Sequence, residues 1–138
     1  MPICDVSCLQ YALTEQERQQ FDELGYFMVE DALASEQVAA LTSVTDTIFE
    51  RKVAEGHDTT KALFYPNFIP DSSLYQDLVD YEKILPKVWD ILGWNIYIYH
   101  AHLIVTPPTG QSPKAKTFGW HQDSGRTNVE MEGDPRPR

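Results

Sequence analysis

The fold is decided by the stretch WNIYIYHAHLIV, which occupies residues Trp94–Val105. Branched and aromatic residues of the kind that favour β-strands make up most of it. Pro107 and Pro108 follow almost at once, and proline cannot continue a central strand. The stretch therefore predicts a long buried strand, and the chain changes near Gly93 from helical to β patterns.

The N-terminal part carries helix signals. Thr14 and Glu17 have the spacing of a capping box, and Gly25 is expected to end the helix that they begin. Ser35 is expected to cap a longer helix, because apolar residues recur after it at helical spacing until Gly56. Two helices are thus predicted before residue 57.

The segments between these helices and Gly93 are less regular. Tyr26 to Val29 reads as a short strand, and Lys61 to Asp71 reads as a loop because two prolines bracket it. Two short helices are expected at Ser72 to Tyr81 and Tyr81 to Leu92. Pro86 must lie in the first turn of the second helix or break it.

A further strand is expected after the polar loop that follows the two prolines. It would carry His121 and Asp123 on one face, since successive strand side chains point to opposite faces. An imidazole and a carboxylate so placed are two of the three ligands of a facial 2-His-1-carboxylate iron site. No histidine follows His121, so the sequence does not contain a third ligand of this kind after the pair.

Composition narrows the class of protein. With 138 residues and 42% hydrophobic content, the chain is expected to form a single domain. Its net charge of −10 disfavours nucleic-acid and membrane partners, because phosphate backbones and anionic lipids are negative too. The sequence has no long apolar segment and no signal-peptide pattern, so a cytoplasmic location is expected. Nothing in it indicates an oligomeric state.

The order of these features resembles one family. The chain has a helical region, then a strand ending in Leu103-Ile104-Val105-Thr106-Pro107-Pro108, then a polar loop, and then Trp120-His121-Gln122-Asp123-Ser124-Gly125-Arg126. This order is similar to that of the phytanoyl-CoA dioxygenase family. The resemblance covers nearly the whole chain. It implies an α+β fold in which a mainly helical region, residues 1–93, leads into the first strands of a double-stranded β-helix, a jelly-roll or cupin-like core, at residues 94–138.

The expected core is incomplete. A jelly roll of about eight strands needs upwards of ~70 residues, and residues 94–138 are fewer than that. The chain is therefore expected to be a single, incomplete oxygenase domain over residues 1–138.

The resemblance also implies roles for individual residues. His121 and Asp123 match iron ligands, whereas Phe118 and His102 match positions beside the cosubstrate 2-oxoglutarate. His102 has an alternative role as a hydrogen-bonded residue of the core. Arg126 is a candidate for binding a substrate anion, because guanidinium groups suit carboxylates and phosphates, although a surface ion pair is an equal alternative. The arginine that pairs with oxoglutarate in the family has no counterpart in this sequence.

The function so implied is that of an Fe(II)- and 2-oxoglutarate-dependent dioxygenase. Such an enzyme converts 2-oxoglutarate and O2 to succinate and CO2 while it hydroxylates a small organic or acyl substrate. The carboxylate of Asp123 favours hydroxylation over halogenation, because halogenating relatives have a small residue at that position. Two alternatives stay open: a non-catalytic fragment or pseudo-enzyme that serves as an interaction module, and a cupin-type metalloprotein without oxoglutarate.

Overall fold

The structure, a computed structural model, describes residues 7–108. The strand predicted to carry His121 and Asp123 lies outside the described residues. The described part contains four α-helices, a two-stranded antiparallel sheet and two short 3-10 helices, which is consistent with the predicted α+β class. In chain order these elements are a 3-10 helix Ser7–Tyr11, α1 Glu15–Leu24, α2 Ser35–Ala54, β1 Leu63–Pro66, a 3-10 helix Ile69–Asp71, α3 Ser73–Gln76, α4 Leu85–Leu92 and β2 His102–Val105.

Helix α1 has both of the predicted caps. The Thr14 hydroxyl accepts a hydrogen bond from the Glu17 amide at 3.2 Å, and the Thr14 amide donates to the Glu17 carboxylate at 2.9 Å. At the other end, Gly25 takes the left-handed conformation (φ 78°), and its amide donates to the Phe21 carbonyl at 2.8 Å. The capping box and the C-terminal glycine satisfy backbone groups that the helix leaves unpaired, so the prediction for this helix is confirmed.

A largely buried ion pair holds α1 against α4. The Lys87 ammonium lies 2.7 Å from a Glu17 carboxylate oxygen, and Lys87 is buried. Near this pair, the Leu13 amide donates to the Asp90 carboxylate at 2.8 Å. Partial burial by itself would raise the pKa of Glu17, but hydrogen bonds from Lys87 and Thr14 outweigh it, and the pKa of Glu17 falls below its usual value.

Helix α2 begins one residue earlier than predicted, because its N-cap is Ala34 and not Ser35. Ser35 is the first helical residue and Ala34 is the N-cap, whose amide donates to the Gln37 side-chain oxygen at 2.9 Å. The helix ends before Gly56, as expected, and Gly56 has φ 103°. This is the longest described helix. None of the described helices is both long enough and apolar enough to cross a membrane.

The core of the described part is small. Its buried apolar residues are Ile48 of α2, Leu63 of β1 and Tyr75 of α3. The Tyr75 hydroxyl lies 2.9 Å from the Thr45 hydroxyl of α2, and its ring packs edge-on against Phe68 at a centroid distance of 4.8 Å. Tyr75 therefore joins α3 to α2 through its hydroxyl, and its ring packs α3 against the residue that precedes the 3-10 helix Ile69–Asp71.

The two helices predicted between Ser72 and Leu92 are present but short. The first is only the four-residue α3, and the second is α4, which starts at Leu85. Pro86 is the second residue of α4 and so lies in its first turn, where no amide hydrogen bond is lost.

The sheet corrects the interpretation of residues 61–71 as a loop. Within that segment, β1 pairs antiparallel with β2, with Leu63 opposite Val105 and Pro66 opposite His102. Pro66 is tolerated because it is the last residue of the strand, and proline at a strand end disrupts little pairing. Asn67 then takes a left-handed conformation (φ 57°), so the strand ends there.

The long buried strand predicted at Trp94–Val105 is wrong over most of its length. Only His102–Val105 is a strand, and Trp94 and Tyr97 are 76% and 81% exposed. Because β1 ends at Pro66, residues 94–100 have no strand partner within the described part of the chain. The short strand predicted at residues 26–29 is also wrong, and that segment has no regular structure.

Candidate functional site

The two faces of the β1–β2 sheet differ in what covers them. Leu63 is only 6% exposed, whereas its neighbour Phe64 is 57% exposed. Strand alternation places Phe64 on the face opposite to Leu63 and Tyr65. Phe64 lies opposite Ile104, which is also exposed. We call the face that carries Phe64, His102 and Ile104 the open face, because helix α2 contacts the other one.

Tyr65 anchors the covered face to α2. Its hydroxyl donates to the Asp71 carboxylate at 3.0 Å, and the Arg51 guanidinium of α2 donates to the same oxygen at 2.6 Å. The Lys52 ammonium lies 4.7 Å from the centre of the Tyr65 ring, within the range of a cation–π contact. These contacts fix β1 on α2 and so determine which way the open face points.

The electrostatics of this anchor follow from its hydrogen bonds. The hydrogen bond from Arg51 has the largest effect on the pKa of Asp71 and lowers it. Burial opposes this effect, the Tyr65 hydroxyl adds a smaller lowering, and the net result is a lowered pKa. The Asp71 carboxylate is therefore ionised at neutral pH and keeps both partners in place.

Aromatic rings meet on the open face. The His102 ring lies 4.1 Å from that of Phe64, at an interplanar angle of 44°. The His100 ring lies 3.6 Å from that of His102 and nearly perpendicular to it, at 84°. We call Phe64, His102 and His100 the ring cluster. His102 is half-buried and His100 is exposed.

Of the residues predicted to form the site, the structure describes only His102. His102 lies on β2, on the open face. His121, Asp123, Phe118 and Arg126 lie outside the described residues, so their proximity to His102 stays a prediction. Within residues 7–108, no three histidine, cysteine or acidic side chains lie close enough together to hold a metal ion.

The sequence-based interpretation missed Phe64. It assigned residues 61–71 to a loop because of the two prolines, and so gave Phe64 no strand position. The signal was the run Leu63-Phe64-Tyr65, whose residue types favour strands. A run of three was too short to outweigh the neighbouring prolines.

The donor chemistry of the predicted residues fits the expected ligands. Imidazole and carboxylate, from His121 and Asp123, are the ligand types of non-haem Fe(II) sites. The imidazole of His102 can donate a hydrogen bond to a carboxylate such as that of oxoglutarate. The two rings in contact with His102, those of Phe64 and His100, carry no negative charge, which suits an anionic ligand.

A separate apolar groove of about 630 Å³ lies between α4 and the segment that follows it. The rings of Trp89 and Trp94, which line the groove, are 4.5 Å apart. His102, the predicted site residue that lies within residues 7–108, does not line this groove. The groove and the ring cluster are therefore separate features of the described part.

No protein-family model matches the sequence, and searches of curated proteins and of solved structures gave no significant match. The resemblance to the phytanoyl-CoA dioxygenase family accordingly depends on the sequence motifs themselves.

Proposed function

We propose that this protein is an Fe(II)- and 2-oxoglutarate-dependent dioxygenase of the phytanoyl-CoA dioxygenase family. It would hydroxylate a small organic or acyl substrate while 2-oxoglutarate and O2 become succinate and CO2. The observation that carries the proposal is the His121-x-Asp123 pair, which follows a strand-forming segment and the two prolines Pro107 and Pro108.

The arrangement of the described sheet is compatible with the jelly-roll core that this proposal requires. A closed or two-layered β-structure keeps its ligand inside, so a strand of such a core needs one face for ligands and one for packing. The covered face of β1–β2 carries Tyr65, bonded through Asp71 to Arg51 of α2, and the open face carries His102. In this proposal the open face, with His102, would be the face for the ligand.

Each predicted residue has a definite task in this proposal. His121 and Asp123 would hold the iron, which when bound supplies the oxidising chemistry that consumes oxoglutarate and O2. His102 would donate a hydrogen bond to a carboxylate oxygen of oxoglutarate and thereby orient it. Phe118 would pack against the same molecule and exclude water from it, and Arg126 would pair with an anionic group of the substrate.

The test is succinate formation by the purified protein, supplied with Fe(II), oxoglutarate and O2 and a panel of candidate substrates. His121→Ala and Asp123→Ala should each abolish succinate formation, because each removes one of the two proposed iron ligands that the sequence supplies. His57→Ala is the matched control. His57 lies in the α2–β1 connection, packs on Phe49 and should be dispensable for turnover.

Turnover that persists unchanged in His121→Ala would contradict the proposal. The exposed aromatic residues Trp94, Tyr97 and Tyr99 favour one alternative, an interaction module without catalysis, because large exposed apolar patches mark binding surfaces. Such a module would form no succinate with any substrate, whether or not iron is added.

A further inference from the structure

Exposed apolar side chains surround the groove beside α4. Six of the residues that line it are large, apolar and exposed to solvent, and we call them the apolar patch: Leu78, Val79, Leu92, Trp94, Tyr97 and Ile98. Because they line one groove, they form a continuous surface and are not scattered single residues. Soluble monomers rarely expose a contiguous apolar surface of more than a few hundred Å², and larger ones mark binding sites.

The area of this surface is that of a protein interface. Trp94, Tyr97 and the adjoining Tyr99 each expose more than two-thirds of their surface. Since an aromatic side chain buries ~150–250 Å² in a contact, these three alone offer roughly 350–550 Å². The aliphatic members of the patch add to this and bring the total close to the ~800 Å² that each partner buries in a standard interface.

The backbone beside the patch is available for strand pairing. Residues 94–99 form no helix or strand, and within the described part of the chain their amides and carbonyls make no backbone–backbone hydrogen bond. Their residue types favour strands, and the segment leads into β2 after two further residues. An uncovered run of strand-forming residues is a template for a strand of another chain.

Charge restricts where two copies of this acidic chain can meet. Each copy carries a net charge of −10, so most of its surface repels a second copy. Residues 91–113, however, include no Asp, Glu, Lys or Arg. The residues that line the groove include one charged side chain, the exposed Asp80. The patch and its segment are therefore a surface on which a second copy meets little repulsion.

We infer that the protein forms a two-fold symmetric dimer, in which residues 94–99 of two copies pair as antiparallel strands and the two apolar patches cover each other. Antiparallel pairing suits a second copy, because each segment then offers the same residues to its partner across the two-fold axis. Trp94 and Tyr97 anchor the contact, as large aromatic residues do at the centre of interfaces. The inference is independent of the proposed function, since none of these residues is assigned to iron, oxoglutarate or substrate.

The test compares Tyr97→Lys with Met28→Lys in the full chain. Tyr97 and Met28 are 81% and 72% exposed, so neither substitution disturbs a core, and both change the net charge equally. Met28 does not line the groove and is the matched control. Sedimentation velocity at about 1–100 μM, where a dimer with a micromolar dissociation constant forms, gives the mass in solution. Hydrogen exchange of the amides of residues 95–99 in the wild type reports strand pairing without any substitution.

The expected result is twice the mass of one chain for the wild type and for Met28→Lys, and slower exchange of these amides as the concentration rises. Tyr97→Lys should raise the dissociation constant of the dimer at least about thirtyfold, because it places a charge at an anchor of the interface. Higher salt should strengthen the wild-type dimer, since it screens the repulsion between two acidic copies.

Several results would overturn the inference. One is a wild type that stays monomeric at about 100 μM; if that monomer binds an apolar dye and Tyr97→Lys does not, the groove holds a small molecule and not a second copy. Another is equal weakening of the dimer by Met28→Lys and Tyr97→Lys. A dimer that salt dissociates would be held by ion pairs, and a dimer without protection of the amides of residues 95–99 would be held at another surface.

Discussion

Replacing Lys87 by methionine tests whether the ion pair between α1 and α4 stabilises the fold. The side chains of Lys87 and Glu17 are only 9% and 19% exposed, and their charged atoms are 2.7 Å apart. Exposed ion pairs contribute ~0–1 kcal/mol, whereas removing one partner of a fully buried pair costs ~3–5 kcal/mol. The Glu17 carboxylate also accepts hydrogen bonds from the Thr14 amide and hydroxyl, each at 2.9 Å, and the substitution leaves both donors in place. We therefore expect Lys87→Met to lower the free energy of unfolding by about 2 kcal/mol at pH 7.

The effect should depend on pH in a defined direction. The pKa of Glu17 is lowered in the folded protein, so its ionised form contributes stability above its unfolded pKa. That contribution is lost as the pH falls through the lowered folded value. The difference between wild type and Lys87→Met should accordingly be full at pH 7 and shrink below about pH 4.

Urea denaturation at pH 7 and pH 3, followed by circular dichroism, gives both quantities. Lys61→Met is the matched control, because Lys61 pairs with Asp58 at 3.1 Å but its side chain is 75% exposed. It should change the free energy of unfolding by less than about 0.5 kcal/mol. A Lys87→Met effect no larger than that of the control, or one that does not change between the two pH values, would refute the reasoning.

Two further substitutions test local features of the fold. Gly25→Ala should destabilise the protein by about 1 kcal/mol, because a side chain is strained at φ 78°. Gly25→Asn should destabilise it less, because asparagine tolerates the left-handed conformation better than alanine. Equal stability of the wild type and both variants in urea would contradict this prediction. Tyr75→Phe should lower the free energy of unfolding by about 1 kcal/mol, because it removes the hydrogen bond to Thr45 from a buried site. Thr45→Val should lower it by a similar amount, because it removes the same hydrogen bond. Additive losses of stability in the double variant would show that the two hydroxyls do not interact.

The helical half of the fold could be predicted because its signals are local. The capping box at Thr14 and the glycine at position 25 lie at the two ends of the same helix, α1. The hydrogen bonds that they make join residues only three or four positions apart. Such short-range geometry acts whatever the rest of the chain does. The position of Pro86 in a first turn followed from the same kind of constraint.

The sheet could not be predicted in the same way. Leu63 pairs with Val105, a residue more than forty positions later, and nothing near either residue specifies that partner. For the candidate site, the family resemblance indicated His102 but not Phe64. The contact between them exists only because two distant strands are paired in one register.

The sequence by itself determined both caps of α1 and the end of α2 before Gly56. It also determined the acidic balance of the chain and the imidazole–carboxylate pair that suggests an iron site. Only the tertiary structure decided that four of the twelve residues from Trp94 to Val105 form a strand, and that His102 meets Phe64 on the open face. The physical reason is that a helix satisfies its backbone within itself, whereas a strand needs a partner. Here the partner strand β1 ends at Pro66, so strand pairing in β2 extends only over His102–Val105. The strand-favouring residue types before His102 have no partner strand within the described part of the chain.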